Sequence, residues 1–375
     1  MKRLLVGCLL AACQHAQPRP PSNVEAAGTP VTDTEVERRQ RMLAELEDDI
    51  LSSYERDELP DIDTELVDPK VGPARIGVGP GDVLFGPEVR ERASSRWPIR
   101  VDSSMKTAVR SKRLDVHLSA DRAVSAAWMS DELSWRITVC GRTAVVPLRI
   151  TALYAHDGDR WVEVVEHLSF GRQPMPARDG SLVGRPMADA LIDTNLSDQL
   201  GREVVGLFSQ QSERVRKLVS LDPEHRAEDD PRQAAPSFIL APDPDSEWHG
   251  DDDIARIQLV DGRLVKIQDR RVGVIGLSVA KATVAYMVAN LVVQLQTGMV
   301  LLRGTFVFEK RDDKWVVVQA HVSEPITDYA LASRVFGTAL ESVNLETGEA
   351  LRVTCDDGSM LQVAPPARPP AADSP

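Results

Sequence analysis

The sequence predicts an α+β fold assembled twice in one chain, each half opening with helices and closing with an antiparallel sheet. One stretch occurs two times. Asp157-Gly158-Asp159-Arg160-Trp161 leads to His167-Leu168-Ser169, and Asp312-Asp313-Lys314-Trp315 leads to His321-Val322-Ser323. Trp161, His167 and Ser169 each find a partner 154 positions on, and Arg149 finds Arg303 at the same offset. Ahead of each copy, apolar residues recur first at helical spacing and then in strand-like runs joined by short polar turns. An internal duplication accounts for all of this.

The chain starts with an address. Lys2 and Arg3 precede an apolar run to Leu10, and Ala11-Ala12-Cys13 follows, which predicts a signal peptide over residues 1–12. The run is too short to cross a bilayer as a permanent helix. Leu10-Ala11-Ala12-Cys13 resembles the lipobox of bacterial lipoproteins. The resemblance implies cleavage before Cys13 and lipidation of its side chain; an ordinary signal peptide that contains a cysteine is the alternative. Gln14 would favour outer-membrane sorting. The expected location is the cell envelope, at the outer membrane or its periplasmic face, with membrane contact through the lipid anchor alone. Residues 13–33 are the lipidated cysteine and a flexible tether rich in Pro, Ala, Gln and Thr.

Residues 34–172 form the first predicted domain. Val36, Met42, Leu43, Leu46, Ile50 and Leu51 predict an amphipathic helix over 35–56, with Thr34 as N-cap and Glu37 three residues on. The glycine-rich stretch Ile76 to Glu88 lacks the spacing of a dinucleotide fingerprint and has no Gly-Lys-Ser/Thr, so it reads as a turn. A short helix is expected over 87–97. Strands are expected at Leu114–Leu118, Ala123–Trp135, Thr143–His156 and Trp161–Phe170, joined as an antiparallel meander. Residues 173–193, with Pro174, Pro176, Gly180, Gly184 and Pro186, read as a linker.

The second domain, 194–327, repeats the order. A helix is expected from Leu196 to Val219, a turn at 242–247, a short helix near 250–256 with Asp251-Asp252-Asp253 at its start, and strands at 263–269, 271–279, 281–295, 299–310 and 315–324. Residues 328–363 hold a closing helix, Asp328 to Glu341, and one or two short strands. Residues 364–375 form a Pro-rich tail expected to be disordered.

Composition excludes some functions. A net charge of -13 without a long basic run disfavours nucleic acid, and aromatics at 5% give few stacking platforms. No Cys or His pair has metal-site spacing, and no metal or cofactor is expected. An oxidising compartment permits a Cys140–Cys355 bridge, and two buried free thiols fit as well.

Together the motifs resemble the nuclear transport factor 2-like fold, and within it the SnoaL-like branch. The first copy shows Gly79-Pro80-Gly81-Asp82 with Phe85-Gly86, Ala127-Trp128-Met129-Ser130-Asp131-Glu132, Pro147-Leu148-Arg149, and Asp157 to Trp161 through His167-Leu168-Ser169. The second shows Pro242-Asp243-Pro244-Asp245, Trp248-His249-Gly250, Arg303, and Asp313-Lys314-Trp315 through His321-Val322-Ser323. The resemblance covers most of residues 35–327. It implies two tandem cone-shaped domains, each with helices packed on a curved antiparallel sheet and a pocket at the open end. The family includes isomerases and cyclases beside many non-catalytic modules, so fold alone does not assign function.

Strand alternation groups Trp161, Glu163, Val165, His167 and Ser169 on one face, and Trp128, Ser130 and Glu132 on another. A histidine beside a carboxylate can act as general base or acid, which makes His167 with Glu163 or Glu132 the catalytic candidates. Trp128, Arg149, His321 and Arg303 are the candidate ligand-binding residues, the arginines through their planar guanidinium groups. The competing reading is structural. Glu163 becomes Val317 and Glu132 becomes Asn290 in the second copy, while Arg and His persist, so the persisting pair would serve the framework and Trp161 and Trp315 the core. His117, His156, His225 and His249 have no partner in sequence, and Asp157-Gly158-Asp159 is too short for a calcium loop. The expected role is a non-catalytic module that binds a small hydrophobic ligand or an envelope protein, its two domains packed as an intrachain pseudo-dimer. The alternative is an isomerase, cyclase or hydratase acting on a small hydrophobic molecule in the first domain.

Overall fold

The computed structural model describes residues 33–56, 66–67, 72–79, 82–92, 96–97, 100–101, 106–120, 126–139, 142–170, 238–240, 247–249, 263–276, 281–295, 298–311, 314–326, 351–354 and 360–364. Several expectations lie outside these residues: the signal peptide, Cys13 and the tether, Cys140 and Cys355, the linker, the helices at 196–219, 250–256 and 328–341, and the tail beyond Ala364.

Helix α1 (Asp33–Arg56) forms as the periodicity requires. Met42, Leu46, Ile50 and Tyr54 follow at four-residue spacing and are buried, while Glu45, Glu47, Asp48 and Asp49 face solvent. The helix begins at Asp33, so Thr34 lies in its first turn and is not the N-cap.

The first sheet contains β1 (Ala74–Ile76), β2 (Val83–Phe85), β4 (Lys106–Leu118), β5 (Ala126–Val139), β6 (Arg142–His156) and β7 (Trp161–Phe170), in the order β2-β1-β7-β6-β5-β4. α2 (Pro87–Arg92) is shorter than expected, and β3 (Arg100–Val101) leaves this sheet. The second sheet contains β8 (Phe238–Leu240), β9 (Glu247–His249), β10 (Arg263–Val274), β11 (Val284–Leu295), β12 (Gly298–Arg311) and β13 (Lys314–Ser323), in the order β10-β11-β12-β13-β8-β9. Read from the opposite edge, the two orders are the same. β10 is a single strand with irregularities between Leu264 and Lys266 and between Gln268 and Arg271, where two strands were expected. Neither sheet is a pure antiparallel meander, because β1 pairs with β7, and β8 with β13, in parallel. A small third sheet sets β14 (Leu351–Thr354) and β15 (Met360–Ala364) beside β3, and Ala364 pairs with Arg100 rather than opening the tail.

Each six-stranded sheet has two apolar faces. The inner face of the first, with Met129, Leu133, Trp135, Ile150, Tyr154 and Trp161, packs against the α1 stripe. Phe306, Phe308, Met287 and Trp315 centre the corresponding cluster of the second. A third cluster joins the sheets to each other, with Trp128, Leu153 and Val165 meeting Tyr286, Val288, Val307 and Val318.

One residue in each closing strand sets which face its neighbours take. Leu153 pairs with Val165 but Tyr154 pairs with Glu163, leaving Val164 extra. Val307 pairs with Gln319 but Phe308 with Val317, leaving Val318 extra. Such a bulge reverses the alternation of side chains. Trp161 and Glu163 therefore point inward with Glu166, Leu168 and Phe170, while Val165, His167 and Ser169 point at the other sheet. The expected single face of β7 is split in two.

Candidate functional site

Among the described residues two polar clusters are buried. One lies in the seam between the sheets, where His167 and His321 stack with ring centroids 3.8 Å apart and planes 17° from parallel. The His167 ring nitrogens meet Thr305 Oγ1 at 3.0 Å and Ser323 Oγ at 2.7 Å. His321 mirrors this with Thr151 Oγ1 at 3.0 Å and Ser169 Oγ at 2.8 Å. Each histidine thus takes both partners from the opposite sheet. In a neutral imidazole one nitrogen donates and the other accepts, and a hydroxyl can take either part. Both rings are fully buried and held well below the usual imidazole range, by burial first; Arg303 and then Arg149 add to the effect on His167, and His167 and then Arg149 to that on His321.

Around this pair the sheets reach into each other. Arg303 donates to the carbonyls of Gly77, Val78 and Gly79 at 3.1, 3.1 and 2.7 Å. Those carbonyls belong to the β1–β2 turn, which is closed by Gly77 N–H to Asp82 O at 2.8 Å and Gly79 N–H to Asp82 Oδ2 at 2.7 Å. A Cβ on Gly79 would lie 2.7 Å from Asp82 Oδ2, so the glycine is set by close approach. Burial lowers Arg303 to about 10, with Asp82 opposing. The buried Glu309 accepts from Ser119 Oγ and Ala120 N–H at 2.9 and 2.6 Å, and Gln319 Nε2 donates to Met129 O at 2.6 Å. Arg149 is buried on β6, across from Glu132 on β5 and Ser169 on β7.

The other cluster lies on the inner side of the first sheet. Arg96, fully buried, donates through Nε to Glu166 at 2.6 Å, through Nη2 to Glu163 at 3.1 Å and through Nη1 to Ser53 of α1 at 2.5 Å. Arg75 Nε reaches Glu166 at 3.1 Å and its Nη2 donates to the Arg96 carbonyl. Tyr154 donates to Glu163 at 3.1 Å, and the Arg96 guanidinium lies 5.1 Å from the centre of the Tyr54 ring. Burial and the neighbouring Glu166 raise Glu163 to about 7, against the pull of Arg96 and Arg75. Burial alone would lower Arg96, but Glu166 and Glu163 outweigh it and hold the guanidinium charged. Asp131, nearby on β5, is raised to about 6, by burial first, and accepts a hydrogen bond from the Arg113 N–H at 3.2 Å.

The catalytic candidates are therefore not assembled. Glu163 and His167 occupy opposite faces of β7, and Glu132 is two strands away from His167, with β6 between them. Of the ligand-binding candidates, Trp128 fills the apolar seam, His321 and Arg303 cross it, and Arg149 is buried beside it. Trp161 is core, its indole donating to Met42 O at 3.1 Å. Asp157 closes its turn by accepting from Asp159 N–H and Arg160 N–H, both at 3.0 Å. Sequence reasoning missed Thr151 and Thr305, Arg96 and Glu166. The threonines carried a signal, since they too stand 154 positions apart.

Helix α1 packs on one face of a sheet that pairs β1 in parallel with β7, an α+β arrangement. The SnoaL-like domain family matches residues 235–327, a stretch that holds all six strands of the second sheet. A solved structure described as an Ntf2-like protein involved in plasmid conjugation is similar at 12% identity, over 59% of this chain and 79% of that one, with a TM-score of 0.21. No curated protein matches the chain. SnoaL-like domains include both ligand-binding and enzymatic members, so the site has to decide between them.

Proposed function

We propose that this chain is a lipid-anchored cell-envelope protein in which two SnoaL-like modules, arisen by duplication, pack as an intrachain pseudo-dimer and serve binding or interaction without catalysis. The observation that carries this is the seam. Arg303, the threonines, the histidines and the serines, which the two halves share, hydrogen-bond across the sheets. A general base needs a ring nitrogen within reach of substrate, and all four ring nitrogens here have protein partners. The anchor rests on Leu10-Ala11-Ala12-Cys13. The partner class is a small hydrophobic molecule or another envelope protein. Sedimentation velocity at micromolar concentration is expected to give a monomer; a stable dimer with the two halves apart would remove the pseudo-dimer. Native mass spectrometry of protein purified from its own host is expected to reveal a retained small molecule or partner.

One observation favours the enzyme reading. Glu163, raised to about 7 and touching Tyr154, titrates where a general acid or base works best. Arg96 occupies the same place, however, and burial with the neighbouring Glu166 accounts for the shift. Glu163→Gln separates the two: unchanged ligand retention supports binding, whereas loss of a turnover seen in the parent supports catalysis.

A further inference from the structure

The outer face of the first sheet is only partly covered. Its Trp128 end meets the second sheet, while its other end, at the start of β4, the end of β5 and the start of β6, stays open. Here the charge reverses. Residues 106–113 hold Lys106, Arg110, Lys112 and Arg113 and no acid, in a chain whose net charge is -13. Lys106, Ala108 and Arg110 share one side of β4 by alternation, and Ala108 pairs with Arg136 of β5. Lys106, Arg110 and Arg136 therefore surround Ala108, and all four are exposed. Val145, 48% exposed, is the register partner of Arg136 on β6 and widens the patch with aliphatic surface. Arg113 pairs with Asp115 at 3.4 Å; among the described residues no ion pair holds Lys106, Arg110, Lys112 or Arg136.

We infer that this basic face docks on the anionic headgroups of a phospholipid bilayer, a second membrane contact beside the lipid anchor. The inference rests on the anchoring at Cys13 proposed above. A flexible tether of the length between Cys13 and α1 has a root-mean-square reach of about 25 Å, so the folded body stays close to the bilayer and meets it at high effective concentration. The acidic remainder of the surface is repelled from an anionic membrane, and only a face of opposite sign turns inward. The exposed Val145 adds aliphatic contact for the headgroup region. The strand is also a sheet edge, where charge guards against pairing with other strands. That role needs charge of either sign, whereas docking needs positive charge.

The test uses full-length protein carrying Cys13→Ser, so that no lipid is attached, and co-sedimentation with vesicles of phosphatidylglycerol and phosphatidylcholine or of phosphatidylcholine alone. Binding is expected only to the anionic vesicles, and it should weaken steeply between about 0.05 and 0.5 M salt as screening shortens. An apolar leader would bind both kinds of vesicle. The variant K106E/R110E/R136E keeps the edge charged and is expected to bind more than about a hundredfold more weakly, since the loss of each basic residue near an anionic surface alone costs roughly fivefold. K106Q/R110Q/R136Q should fall between the two. Equal binding by parent and charge-reversed protein, equal binding to both vesicle types, or tighter binding to a short RNA than to anionic vesicles each overturns the inference. Fractionation of cells making the unaltered chain tests the anchor separately. A soluble protein there, together with charge-dependent vesicle binding, would sink the anchor and spare the docking face.

Discussion

The two sheets carry the same strand order and the same bulge, yet their inner faces are chemically unlike. In β7 the inward positions are Glu163 and Glu166, tied to Arg96 and Arg75; the matching positions of β13 are Val317 and Ala320, both in the apolar core. Tyr154, which donates to Glu163, is matched by Phe308. On the seam side the copies agree: Thr151 with Thr305, His167 with His321, Ser169 with Ser323. The shared residues lie where the copies touch, and the differing ones where each encloses its own interior. Identity between the halves marks the contact they have in common. The halves differ in the interior of the first sheet, where Arg96 and Arg75 meet Glu163 and Glu166.

The largest effect expected from that contrast is on the first interior. Arg96→Met removes the cation shared by two buried glutamates and should cost about 3–5 kcal/mol in urea unfolding, because an uncompensated buried charge is expensive. A loss below about 1 kcal/mol would mean that the glutamates are protonated and need no partner. The seam comes next. His167→Ala empties a stacked ring and leaves Thr305 and Ser323 without their hydrogen-bond partner, for about 2–4 kcal/mol. Combining it with His321→Ala should cost less than the sum of the single losses, since the rings contact each other. Strict additivity in the double-mutant cycle would show that the stack couples nothing.

The third expected effect is the dependence on pH. Both histidines are held neutral below their ordinary value near 6.5, so the unfolded chain takes up protons first as the medium is acidified. The stability they contribute is complete above about 6.5 and is lost below it, by up to about 1.4 kcal/mol per pH unit for each ring. Glu163 and Asp131 work the other way: their raised carboxyls cost stability as pH rises toward 7. His167→Asn with His321→Asn should leave only that opposing slope, read from thermal midpoints between pH 5 and 8. A double variant as acid-sensitive as the parent would mean that other groups set the response.

Much of this was legible beforehand because the repeat is strict where packing demands it. The 154-residue offset marked His167, Ser169 and Arg149 with their partners, and the turn at Asp157 placed β7 to the residue. The faces were not legible. Periodicity assumes an unbroken alternation, and Val164 and Val318 give no sign in sequence of being the extra residues. The parallel pairing of β1 was hidden because its three residues are too few to show a period. Arg96 was missed because it stands between strands, where side-chain direction follows from tertiary packing alone.

Ile326, just past the end of β13, donates its backbone N–H to Val78 O at 2.9 Å and buries its side chain in the first core among α1 and the first sheet. During synthesis that core waits for a residue made long after its own strands. The amino-terminal half thus emerges from the ribosome with an unfilled slot and receives its last piece only after the strands of the second sheet have been made.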